Sequence, residues 1–64
     1  MNPWQYIFRN KKEMTWYEMV EALGNFLDKS QGLPRQADKV YEQKIRAALA
    51  MGMIKENNNK YQLG

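Results

Sequence analysis

Cysteine and histidine are both missing from this chain. Without cysteine, no disulfide or thiolate metal site can prop up a small core, and a reducing, cytoplasmic setting fits. Without histidine, the commonest general base and the commonest zinc ligand are lost together. Ser30 and Thr15 therefore have no imidazole to activate them, and Glu18 and Glu21 belong to no metal-ligand cluster. Gly24, Gly32, Gly52 and Gly64 are scattered, so no glycine-rich loop cradles a phosphate. An enzyme is not expected, and neither is a cofactor or a metal. Long apolar runs are lacking too: Ala47 to Met51 is the longest, against the ~20 residues that span a bilayer. No membrane contact is expected, and Arg9, Lys11, Lys12 and Glu13 interrupt any signal-peptide h-region.

What is present is a short, aromatic-rich, basic chain. Its 64 residues suit one domain, 1–64, whose folding buries only roughly 60% of the surface the unfolded chain exposes. Large side chains must therefore fill a thin core, and Trp4, Phe8, Trp16, Phe26 and Tyr41 recur at core spacing. Met14, Met19, Met51 and Met53 suit gap-filling. The formal charge is +3, and all of it comes from one half. Residues 1–32 carry four basic and four acidic side chains, whereas residues 33–64 carry six and three. Such a bias points to an anionic partner of the second half.

Helix signals come first along the chain. Asn2 is a favoured N-cap, Pro3 suits the first helical position, and Trp4, Ile7 and Phe8 recur at helical spacing, which predicts a helix over 3–11. The alternation of Trp4, Tyr6 and Phe8 also permits a strand. Thr15-Trp16-Tyr17-Glu18 has the spacing of a capping box, and Trp16, Met19, Val20, Leu23, Phe26 and Leu27 trace an apolar helical face behind it. Gly24 either stops this second helix or lies inside one running to about Lys29. A third helix is predicted from about Gln36 to Met51, with Tyr41, Ile45, Ala48, Leu49 and Gly52 on one face. Lys39, Glu42, Gln43 and Arg46 fall opposite. Two short strands, Met53–Glu56 and Lys60–Leu63, then flank three asparagines, which tolerate positive φ and suit a tight turn.

This order resembles a winged helix-turn-helix DNA-binding domain: mainly α, three helices followed by a C-terminal two-stranded wing. Ile45-Arg46-Ala47-Ala48-Leu49-Ala50-Met51-Gly52-Met53-Ile54 carries the likeness best, ending a helix at glycine and passing at once into an apolar strand. A polar turn and a strand with an aromatic residue, Tyr61, follow. The resemblance puts Met14-Thr15 in the place of the family's short first strand. It also makes Ala37–Met51 the recognition helix and Met53–Leu63 the wing. The family's turn between second and third helices is usually a few residues, whereas Gly24 to Gln36 spans thirteen positions. Either the second helix is long or a turn is inserted; alternatively a recognition helix begins at Asn25–Ser30.

The resemblance implies double-stranded DNA as the partner, for a small transcription regulator or an accessory protein of replication or recombination. It implies a third helix in the major groove with Lys39, Gln43 and Arg46 facing DNA and Arg35 and Gln36 at its entrance. Arginine suits guanine and glutamine suits adenine. Lys55, Asn58 and Lys60 would hold the adjacent backbone from the wing. Asp38 and Glu42 count against this face, and Glu42 with Arg46 also forms an ordinary helix-stabilising pair. Two copies on paired half-sites would add affinity, and a homodimer would then use the first helix through exposed parts of Trp4 and Tyr6. The competing function is a protein-interaction module that binds a partner protein without touching DNA.

Overall fold

A computed structural model of the chain describes residues 2–64. Three helices, α1 (Pro3–Ile7), α2 (Trp16–Gln31) and α3 (Asp38–Ala50), precede an antiparallel hairpin of β1 (Ile54–Asn57) and β2 (Lys60–Leu63). The fold is mainly helical with a two-stranded wing, a winged-helix-like layout.

Local chemistry explains most element ends. The Asn2 side chain accepts the Trp4 N–H at 2.9 Å and opens α1. The helix closes at Ile7, short of the expected 3–11. The last turn tightens there: the Arg9 N–H donates to the Tyr6 carbonyl at 3.2 Å instead of reaching Gln5, and its guanidinium donates to the same oxygen at 2.8 Å. At α2 the capping box forms as its spacing predicts. The Glu18 N–H donates to Thr15 Oγ1 at 3.2 Å, and the Thr15 N–H donates to Glu18 Oε1 at 2.8 Å.

Gly24 does not stop α2. The left-handed residue is Gly32, at φ 66°, and its N–H donates to the Asp28 carbonyl at 2.9 Å. The second helix is therefore long, the connection to α3 covers residues 32–37, and Asn25–Ser30 begin no recognition helix. Gly24 serves packing instead. A Cβ there would lie 3.2 Å from Tyr41 Cε2 and 2.7 Å from Arg35 Nη1. Tyr41 is 1% exposed, so its ring lies directly on the α2 backbone. The Tyr41 hydroxyl accepts the Gln36 N–H at 2.8 Å. This bond engages Gln36 outside the helix, and α3 begins at Asp38 rather than at Gln36.

Gly52, at φ 78°, ends α3 with paired bonds from its own N–H to Leu49 (3.1 Å) and from Met53 to Ala48 (2.9 Å). Met53 is thereby spent on closing the helix, so β1 starts at Ile54 and extends to Asn57, which pairs with Lys60. Only Asn58 and Asn59 remain in the turn, both at positive φ (54° and 64°), which is the type I′ geometry of a two-residue hairpin. Met14 adds one antiparallel bridge on the outer side of β2. Its N–H donates to the Tyr61 carbonyl at 2.9 Å, and the Tyr61 N–H donates back at 2.8 Å.

The core gathers Trp4, Ile7, Phe8, Met14, Met19, Val20, Leu23, Tyr41, Ile45, Ala48 and Ile54. Trp16 and Phe26 pack against its edge, half-buried rather than central. Met51 and Met53 are exposed, because the turn closing α3 carries them past the core. Among the described residues, no helix is long and apolar enough to cross a membrane.

Replacing Gly24 drives a side chain into the buried Tyr41 ring. Gly24→Leu is expected to destabilise the fold by about 1–3 kcal/mol despite leucine's better helix propensity, read from urea unfolding midpoints. Glu18 gives a pH test. The Thr15 N–H, followed by the Lys11 ammonium 3.1 Å away, holds its carboxyl down at about 2 from an ordinary 4.5. The folded-state pKa is the lower one. The contribution of Glu18 is thus complete above about 4.5 and disappears as pH falls toward 2. Glu18→Gln should flatten the loss of thermal stability across that window.

Candidate nucleic-acid interface

Helical periodicity sorts the side chains of α3 into a buried face and an outward stripe. Tyr41, Ile45 and Ala48 face the core. Lys39, Gln43, Arg46 and Ala50 follow one another at i, i+4, i+7 and i+11 on the opposite side, all exposed. Glu42 leaves that stripe for the flank. It is half-buried and accepts the Trp16 indole N–H at 3.2 Å. The expected Glu42–Arg46 ion pair does not form, since Arg46 instead lies over the Trp16 ring, 5.5 Å from its centroid.

Asp38 is similarly engaged. Arg35 Nη2 donates to Asp38 at 2.6 Å and to Glu21 at 3.0 Å, with the guanidinium carbon 5.0 Å from the centre of the Tyr41 ring. The Asp38 hydrogen bond raises the Arg35 pKa further above its ordinary value. Arg35 is exposed at the entrance to α3, as the sequence suggests, and it also ties α2 to α3. Gln36 is exposed beside it, its backbone bonded to Tyr41. The two carboxylates that count against the α3 face are thus each held by a donor of the protein itself.

The hairpin presents a second group of cations. Ile54, Glu56, Tyr61 and Leu63 share one side of the two strands, and the register puts Lys55, Asn57, Lys60 and Gln62 on the other. Lys55 and Lys60 therefore project from one face, and Asn58 stands exposed at the tip. Trp16 joins this wing to α3. Its ring packs on Tyr61 with centroids 5.7 Å apart, while Glu42 and Arg46 meet it from α3. Lys44, exposed on the other flank of α3, is a further cation that recognition-face spacing does not pick out.

Trp4 is 4% exposed and belongs to the core, so it offers nothing to a second copy. Tyr6, 41% exposed, is the accessible aromatic of α1.

No protein-family model, curated protein or solved structure matches this chain. The winged-helix comparison rests on the order and pairing of its own elements.

Trp16→Phe keeps most of the ring but removes the donor to Glu42. It is expected to cost about 1.5–3 kcal/mol in urea unfolding, the net value of a hydrogen bond to a charged acceptor. The larger Trp16→Ala loss should include the contacts to Tyr61 and Arg46.

Proposed function

We propose that this chain binds double-stranded DNA, with α3 in the major groove and the wing on the adjacent backbone. The observation carrying this reading is the α3 stripe: Lys39, Gln43 and Arg46 stand exposed in one row, while Asp38 and Glu42 are held by Arg35 and Trp16. An α-helix fits the width of the major groove, and arginine and glutamine can read guanine and adenine edges there. Lys55, Lys60 and Asn58 supply donors to phosphate oxygens, which set the position of the protein without reading sequence. Gln36 lies where the N-terminus of α3 would approach the duplex. Arg35 borders the same end and keeps α3 at its angle to α2.

The role is one of binding rather than catalysis, in a cytoplasmic regulator of transcription or an accessory factor of replication or recombination. Five exposed cations on the two elements, Lys39, Lys44, Arg46, Lys55 and Lys60, form no ion pair among the described residues. Each can displace a counterion from a phosphate.

Fluorescence anisotropy with labelled duplex DNA tests the proposal. Affinity should fall with salt along a log–log slope of about −0.9 for each phosphate neutralised. Lys60→Ala should reduce that slope by about 1, and Arg46→Ala should cost about 1–3 kcal/mol and relax specificity at one position. A folded sample that binds no duplex at about 50 mM salt contradicts the proposal.

A further inference from the structure

A cleft between α1 and α2 is lined by none of the residues that the DNA reading uses. Its volume is about 180 Å³. Tyr6, Ile7, Ala22 and Phe26 give it an apolar lining, and Arg9 and Lys29 stand at it as cations. No carboxylate among the described residues lines it. The aromatic wall is already set, with the Tyr6 and Phe26 rings 5.3 Å apart and inclined at 48°.

Arg9 is equally prepared. Its guanidinium carbon lies 3.8 Å from the centre of the Tyr6 ring, and Nη1 donates to the Tyr6 carbonyl at 2.8 Å. That bond occupies one nitrogen of the fork. Nη2 and Nε have no partner among the described residues, and a planar fork held by stacking suits a carboxylate. Size limits the occupant. Pockets for drug-sized molecules begin near about 300 Å³, so this cleft takes one apolar side chain rather than a whole cofactor.

We infer that the α1–α2 cleft docks an acidic peptide segment of a partner protein, seating one aromatic or branched apolar side chain against the wall that Tyr6 and Phe26 form together. Carboxylates flanking that side chain meet Arg9 and Lys29. The charge of the cleft selects the occupant: an apolar anchor alone would leave two cations unmatched, and a basic segment would be repelled. A protein so equipped can hold DNA on α3 and the wing while a partner occupies the α1–α2 cleft. The inference does not depend on DNA binding, because the two surfaces share no residue.

Selection of a phage-displayed library of random linear peptides against the immobilised chain is the test. Acidic sequences around an aromatic or branched apolar residue should be enriched. A synthetic copy of a selected peptide should lose about tenfold or more in affinity with Arg9→Glu or Lys29→Glu, and its affinity should be unchanged by Arg46→Ala. Arg9→Lys keeps the charge but removes the fork, and should weaken binding by a smaller factor with circular dichroism unaltered. Four results would overturn the inference. The selection could yield no acidic preference, or the selected peptides could bind the Arg9→Glu chain equally well. Sedimentation could instead show a dimer dissolved by Arg9→Glu, which would give the cleft to a second copy. Duplex binding measured on the same variants keeps the two sites separable: a loss there with Arg9→Glu would assign the cleft cations to DNA and also overturn the inference.

Discussion

Three consecutive residues hold α2, α3 and the wing to one another. Met14 pairs its backbone with Tyr61 of β2, Thr15 caps α2, and Trp16 packs on the Tyr61 ring while bonding Glu42 of α3. A two-stranded hairpin is marginal in water on its own, so β1 and β2 depend on this junction and on buried Ile54 for their position. The same junction sets the electrostatics of α3. By taking Glu42 to the flank and lying beneath Arg46, Trp16 separates a carboxylate from a guanidinium that would otherwise meet at i, i+4. Scaffold and proposed interface are therefore one construction.

A second device acts at the far end of α3. Tyr41 lies on Gly24 and receives the Gln36 N–H, while Arg35 spans Glu21 and Asp38 over the Tyr41 ring. A thin core gains much from such a contact, since close approach of two helices replaces side-chain bulk that a short chain cannot supply. The glycine costs α2 up to about 1 kcal/mol of helix propensity, which the burial of a tyrosine ring can exceed. Fixed at both ends, α3 presents its outward stripe at a defined angle to the wing.

The parts of this fold that were legible in the sequence are those decided within a few residues. Asn2, the Thr15–Glu18 box, the glycine after α3 and the asparagine turn all act on neighbouring backbone groups, so their spacing carried the information. Periodicity gave Lys39, Gln43 and Arg46 of the outward stripe of α3, but it also put Glu42 there, which the structure moves to the flank. What spacing could not carry were partners far along the chain. Gly24 has its reason in Tyr41, Arg35 has its partner in Glu21, and Glu42 has its donor in Trp16. The end of α1 is the local exception: the Arg9 N–H turns to the Tyr6 carbonyl in a tightened last turn, an outcome propensity does not encode. The α1–α2 cleft was invisible for the same reason, since Arg9, just past α1, and Lys29 of α2 come to it from distant parts of the chain.

The central claim is that α3 and the wing form one surface for duplex DNA. Amide chemical-shift mapping of the labelled chain, titrated with a short duplex, tests it residue by residue. The account predicts changes concentrated at Lys39, Gln43, Arg46, Lys55, Asn58 and Lys60, with Tyr6, Arg9 and Lys29 unaffected. Changes confined to α1 and α2, or none at saturating duplex, would contradict it.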